Sequence, residues 1–119
     1  MRLVAILNPA AGRDEPVLSA VSDVLGAADV DWKVRVTTGP GDAERFAREA
    51  CEAGVDRVLA YGGDGTVSAV AACMAGSSTP LAILPGGTGN AIAQDLGIPL
   101  DLRQALVLAS NPEAPVAPI

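Results

Sequence analysis

The sequence predicts an α/β domain of three layers, a parallel sheet with helices on both faces, and three observations lead there. Short apolar runs alternate along the chain with amphipathic segments. The runs read as continuous hydrophobic stretches, as expected of strands covered on both sides. The segments between them are long enough to be crossover helices, which parallel neighbours require and which cover the faces of the sheet. At 119 residues the chain has the size of one ordinary domain, large enough to fold without cross-links.

Strands are expected at Leu3–Leu7, Trp32–Val36, Arg57–Ala60 and Leu81–Leu84, each closed by Gly, Pro, Asn or Thr, and all four are expected to be buried. Between them Val17, Val21, Val24 and Ala28 recur at helical spacing. So do Ala43, Phe46, Ala47, Ala50 and Cys51, and then Val67, Val70, Ala71 and Met74. A short helix is expected from Thr88 to Leu96, stopped by Gly97-Ile98-Pro99. Asp101 is placed to N-cap a last helix from Leu102 to about Ala109. The tail from Asn111 to Ile119 is punctuated by proline and ends on an apolar residue, so it reads as a chain cut short.

Composition narrows the function classes. Half of the residues are hydrophobic, yet the aromatics are Trp32, Phe46 and Tyr61, so the core must come from Val, Leu, Ile and Ala. The formal charge of -6 and a pI of about 4.3, with Lys33 the sole lysine, leave no basic face for a nucleic-acid backbone or an anionic membrane. The chain has no histidine, which removes the usual zinc spacings and the base of ordinary hydrolase triads. Cys51 and Cys73 fall in different expected helices and read as buried small apolar residues. The apolar run Leu3–Leu7 is too short for a signal-peptide core or a bilayer span, so a cytoplasmic location is expected.

In an open α/β sheet, ligands bind beyond the carboxyl ends of the strands. Those ends carry Asn8-Pro9-Ala10-Ala11-Gly12, Thr37-Thr38-Gly39-Pro40-Gly41, Gly62-Gly63-Asp64-Gly65-Thr66 and Pro85-Gly86-Gly87-Thr88-Gly89-Asn90. In the third, glycines leave backbone N–H groups open to an anion at the start of a helix, which makes phosphate the natural ligand. Thr66 adds a hydroxyl. Asp64 places a carboxylate where neither a core nor a solvated helix face needs one, and it can accept a proton or help organise a metal in phosphoryl transfer. The plainer reading is a tight turn with Thr66 capping the next helix, and Gly86-Gly87 a flexible entry to another. Neither glycine segment is a Walker A sequence or the dinucleotide fingerprint.

Taken together, Asn8-Pro9, Gly62–Thr66 and Pro85–Asn90 resemble, in order and spacing, the diacylglycerol kinase catalytic domain family, which includes bacterial lipid kinases and the sphingosine kinases. The resemblance runs from Leu3 to about Leu108. The Gly-Gly-Asp-Gly-Thr motif alone is also seen in NAD kinases and, in related form, in phosphofructokinases. The resemblance implies an NAD kinase/diacylglycerol kinase-like N-terminal domain over residues 1–119 that binds ATP with Mg2+. In the family it is joined to a C-terminal β-sandwich domain, absent from this chain, and the lipid enters between the two.

Carried over by position, Asn8, Pro9 and Thr37 would contact ATP. Gly62, Gly63, Asp64, Gly65 and Thr66 would hold its phosphates, and Gly87, Thr88 and Asn90 would add further contacts. Asp64 would be the general base that takes the proton of a diacylglycerol-like or sphingoid hydroxyl; no metal ligand is identified. The chain departs from the family pattern at Ser68-Ala69, where an Asn-Glu pair is usual, at Ala91 in place of Asp, and at Ala11 in place of Ser. These replacements bear on activity more than on binding. They motivate a non-catalytic nucleotide-binding module as an alternative. An NAD kinase-like small-molecule kinase is another, against which Thr88-Gly89-Asn90 counts. Any transient membrane-surface contact would depend on the lipid or on the absent domain.

Overall fold

A computed structural model of the protein describes residues 1–8, 17–85 and 101–112. Its elements are β1 (Arg2–Leu7), α1 (Val17–Ala27), β2 (Asp31–Val36), α2 (Asp42–Glu52), β3 (Arg57–Gly62), α3 (Asp64–Met74), β4 (Leu81–Pro85) and α4 (Leu102–Ala109). The strands form one parallel sheet in the order β2-β1-β3-β4. The sheet is covered on both faces, as its sequence pattern predicts.

The period-two alternation of the strands divides the core. Leu3, Ala5, Leu7, Leu59, Tyr61 and Leu84 pack with Val21 and Leu25 of α1 and Leu102 and Leu106 of α4. Val4, Ile6, Val58 and Ala60 pack on the other side with Phe46 and Ala47 of α2 and Val70 and Met74 of α3. Each fully buried Leu, Ile or Val contributes about 1.5–3 kcal/mol relative to an exposed one. These two layers hold β1 and β3 as the centre of the sheet.

The expectation of four buried strands is corrected at β2. Asp31, Trp32 and Lys33 are exposed, and Val34, Arg35 and Val36 are half-buried. β2 is an edge strand of the described sheet, and Asp31, Lys33 and Arg35 alternate with Trp32, Val34 and Val36 along it. Charges at that spacing keep an open edge from pairing with another chain. The third strand is longer than expected, because Tyr61 lies opposite both Leu7 and Leu84 and Gly62 opposite Pro85. The two cysteines are half-buried rather than buried, packed at the margin of the core under α2 and α3, and the Cys51 thiol donates to the Ser77 hydroxyl at 3.7 Å.

The last helix runs over the expected residues. Asp101 Oδ1 accepts from the Gln104 backbone N–H at 3.0 Å, the N-cap bond that starts it. Its far end is held by Arg57, only 4% exposed at the start of β3. Arg57 Nη1 donates to the carbonyls of Ala109 at 2.9 Å and Asn111 at 2.8 Å, and Nη2 to that of Pro112 at 3.3 Å. The guanidinium thus satisfies a carbonyl that the helix end leaves open, with the sign of charge the helix dipole favours there. Arg57→Met keeps most of the side-chain volume and removes these bonds, so it is expected to cost about 2–4 kcal/mol of stability. Urea unfolding measures it; an unchanged midpoint would contradict the role given to Arg57. The expected helix from Thr88 to Leu96 lies outside the described residues.

Candidate functional site

The chain leaves β1 for β2 on one side, and β3 lies on β1's other side. This reversal opens a crevice at the carboxyl ends of β1 and β3, the position at which open α/β sheets bind ligands. Asn8, the residue after β1, donates its backbone N–H to Tyr61 O at 2.8 Å, so it is fixed against β3. Its side-chain Nδ2 donates to Thr66 Oγ1 at 3.0 Å. That bond joins the end of the first strand to the first turn of α3, across 58 residues of sequence.

The five-residue glycine motif is not a free loop. Gly62 is the last residue of β3, Gly63 is the N-cap of α3, and Asp64, Gly65 and Thr66 are its first helical residues. Thr66 is therefore not the cap that the plainer reading expects. Gly63 cannot cap with a side chain, and the start of α3 has no side-chain cap hydrogen bond. A Cβ on Gly62 would lie 2.7 Å from Thr66 Cβ, so only glycine lets the helix begin this close to the strand. At Gly63 and Gly65 a Cβ would meet nothing within 4 Å among the described residues. Packing among the described residues does not require glycine at either position, whereas a close approach of a ligand to the bare backbone would. Asp64 is half-buried, and its Oδ1 is shielded from solvent.

The second strand is drawn to the same place. Thr37 donates its backbone N–H to Leu7 O at 2.9 Å and its hydroxyl to the same carbonyl at 3.3 Å. Its oxygen can still accept a hydrogen bond, but its proton is engaged. A feature the sequence reading missed lies just beyond it. Asp42 Oδ2 accepts from Thr38 N at 2.8 Å, Thr38 Oγ1 at 3.0 Å and Gly39 N at 3.1 Å, tying the loop ahead of α2 back onto the helix. Gly41, with φ of 85°, supplies the left-handed residue on which the loop turns. The signal was a Thr-Thr-Gly followed three residues later by Asp at the first position of a helix, from which a carboxylate can reach back to the loop before it.

The bonds from the Thr38 backbone and hydroxyl hold the Asp42 carboxyl below its ordinary value of 3.8; desolvation opposes them, and Gly39 and the Arg45 guanidinium each lower it by less than desolvation raises it. A depressed carboxylate stabilises the fold at pH values above its unfolded pKa, and that contribution is lost as the pH falls through the folded value. The Thr38–Asp42 loop is therefore expected to loosen on acidification below pH 3.8, and Asp42→Asn to loosen it at neutral pH. Amide exchange at Thr38 and Gly39 reads this out. Protection that is the same in both proteins at pH 7 would contradict it.

Between these segments lies a cavity of about 430 Å3. Its walls include Asn8, Thr37, Thr38, Glu44, Gly65 and Thr66, and Ala69 of α3 closes one side. Four of the expected site residues, Asn8, Thr37, Gly65 and Thr66, are thus brought together. Gly62, Gly63 and Asp64 precede Gly65 in the same strand-to-helix turn and are not part of the wall. Pro9, Gly87, Thr88 and Asn90 lie outside the described residues, as do Ala11 and Ala91. The N-terminal turns of α2 and α3 both border the cavity and neither has a side-chain cap; the N–H groups and dipole of α3 favour an anion, whereas the first turn of α2 presents the Glu44 carboxylate. A second cavity of about 390 Å3, bordered by Arg2, Trp32, Lys33, Phe46 and Val55, is built from other parts of the sheet and α2. Among the described residues no group of three or more Asp, Glu, Cys or His side chains converges on a metal position, and no helix is long and apolar enough to cross a membrane.

The family model of the diacylglycerol kinase catalytic domain matches residues 2–116. The chain is 46% identical over 100 residues to a probable lipid kinase YegS-like protein of Klebsiella pneumoniae, covering 82% of this chain and 34% of that one. It is 40% identical over 119 residues to the corresponding Pseudomonas putida protein, covering 97% of this chain and 39% of that one. Among solved structures, a diacylglycerol kinase from Bacillus anthracis superposes with a TM-score of 0.83 at 33% identity, over 92% of this chain and 39% of that one. The chain thus spans little more than a third of the length of the proteins it matches.

Proposed function

The chain belongs to the diacylglycerol kinase catalytic domain family, and from that premise we propose that it forms the ATP-binding part of a lipid kinase, which transfers the γ-phosphoryl group of ATP to the hydroxyl of a diacylglycerol-like or sphingoid lipid. The observation that carries this reading is the Asn8–Thr66 bond at the wall of the cavity, at the switch point of the sheet. It holds the Thr66 oxygen as an acceptor from Asn8, which leaves the hydroxyl proton to be donated to a phosphate oxygen. Ser and Thr hydroxyls carry one donor and two acceptor positions, so the two roles are compatible. Backbone N–H groups at the start of α3 supply further donors.

Phosphoryl transfer needs little covalent chemistry from the protein; positioning and charge stabilisation do most of the work. In this reading the Gly62–Thr66 turn positions the phosphates and Asp64 receives the proton of the attacking lipid hydroxyl. Mg2+ commonly binds through one or two carboxylates plus substrate phosphates. Among the described residues no three acidic side chains converge, so the phosphates of the nucleotide would supply most of the ligands of the metal, and Asp64 is kept for the proton. The metal would neutralise charge on the phosphates it accompanies. The lipid would enter a cleft between this domain and a C-terminal β-sandwich domain of the whole protein, which would act in the cytoplasm with transient contact to membrane surfaces.

Asn8→Ala tests the carrying observation. Mg2+-ATP affinity, measured by calorimetry, is expected to fall about tenfold, the worth of one orienting hydrogen bond near a charged ligand, with the fold retained. Unchanged affinity would contradict the reading.

A further inference from the structure

Glu44 stands apart among the acidic residues around α2. Asp42 is engaged by Thr38, Gly39 and Arg45, Glu49 by Arg35 and Arg45, and Glu52, at the far end of the helix, is exposed to solvent. Glu44 is half-buried and, among the described residues, takes part in no ion pair or hydrogen bond. It is also the one charged residue among the described residues that line the 430 Å3 cavity. A place in the first turn of a helix suits a carboxylate through the helix dipole, but that does not explain an unpartnered one facing a cavity.

A carboxylate repels phosphate and, when ionised, only accepts hydrogen bonds. The part of a nucleotide that suits it is therefore neutral and rich in donors. Gly65 and Thr66, at the start of α3, mark the end of the cavity for phosphate, and the α2 wall faces the remainder of the ligand. Two adjacent hydroxyls offer two donors to the two oxygens of one carboxylate, the pairing by which an acidic side chain recognises ribose in dinucleotide sites. Ala69, in the same wall, contributes only a methyl group and does not compete for that position.

We propose that Glu44 is the residue that recognises ribose, accepting hydrogen bonds from the vicinal 2′- and 3′-hydroxyls and so selecting ribonucleotides over deoxyribonucleotides. The assignment rests on the nucleotide reading of the cavity and goes beyond it by naming the sugar contact and its consequence for specificity.

The test is a matrix of dissociation constants for Mg2+-ATP, Mg2+-2′-deoxy-ATP and Mg2+-GTP against the unaltered chain, Glu44→Ala and Glu44→Gln. The unaltered chain is expected to prefer ATP over 2′-deoxy-ATP by about tenfold or more, the loss that follows when a charged acceptor is left without its donor. In Glu44→Ala that ratio collapses to about one. Glu44→Gln keeps the volume and one acceptor oxygen, so its ratio falls between the two and guards against a misreading should the alanine variant fold poorly. Equal affinity of the unaltered chain for ATP and 2′-deoxy-ATP overturns the assignment while leaving the nucleotide site standing. So does an equal loss of both in Glu44→Ala, or a change confined to the ATP-to-GTP ratio. No binding of any nucleotide to the unaltered chain removes the nucleotide reading itself, and the sugar contact with it.

Discussion

Asp64→Asn is expected to slow phosphoryl transfer to lipid by about 10²–10⁴-fold, the range that a positioned general base contributes, while ATP affinity stays nearly unchanged. Asparagine reproduces the shape of the side chain but cannot take a proton from the attacking hydroxyl. The substitution also removes a negative charge from the first turn of α3. That charge favours the helix start by about 0.3–1 kcal/mol but opposes phosphates bound beside it, so the net effect on binding is small. The measurement is steady-state kinetics in the catalytically competent protein, paired with an ATP titration of the same variant. A parallel loss of binding and turnover would make Asp64 a phosphate-site residue and not a base. Full activity would remove it from the mechanism.

Gly62→Ala is expected to damage fold and site together. The new methyl would sit 2.7 Å from Thr66 Cβ, 2.9 Å from its Cγ2 and 3.0 Å from its Oγ1. Thr66 Cβ is fixed to the helix backbone, so no rotamer relieves the first of these contacts. The start of α3 must move, and the Asn8–Thr66 bond of 3.0 Å moves with it. Overpacking of this kind costs about 1–3 kcal/mol, and ATP affinity should fall with the loss of alignment. Gly63→Ala is the companion, since a Cβ there meets nothing within 4 Å among the described residues. It is expected to leave urea stability nearly intact while still weakening ATP binding, because its methyl would occupy the space through which phosphate approaches the backbone. If both variants unfolded at the same urea concentration as the unaltered chain, the close approach at Gly62 would not be the constraint it is described as.

Much of this architecture was legible in the residues because it rests on local chemistry. The apolar runs at Leu3–Leu7 and Leu81–Leu84, the helical spacing of Ala43, Phe46, Ala47 and Ala50, and the cap at Asp101 all declare themselves within a few positions. What escaped depends on partners far apart in the chain. The guanidinium of Arg57 is buried because carbonyls more than 50 positions later close over it, and nothing adjacent to Arg57 signals that. Likewise, nothing near Thr66 in the chain signals that Asn8, 58 positions earlier, bonds to its hydroxyl. At β2 the error was one of pattern, since Trp32, Val34 and Val36 were read as a continuous apolar run although Lys33 and Arg35 interrupt it. In the candidate site, the strand ends named the right residues at Asn8, Thr37, Gly65 and Thr66 for the cavity, but not the cavity's acidic wall at Glu44. Glu44 sits in an ordinary amphipathic helix and carries no motif.

In the proposed function the cavity between Asn8, Thr37 and the start of α3 receives a nucleotide with its phosphates over the glycine turn. A crystal structure of the chain with Mg2+ and a non-hydrolysable ATP analogue tests this most directly. The expected density places the phosphates against the backbone N–H groups of Gly63 to Thr66, with the Thr66 hydroxyl donating to one of them and the nucleoside along Thr37 and Glu44. An analogue seated instead in the cavity beside Arg2, Lys33 and Phe46, or phosphates pointing away from the glycine turn, would contradict it.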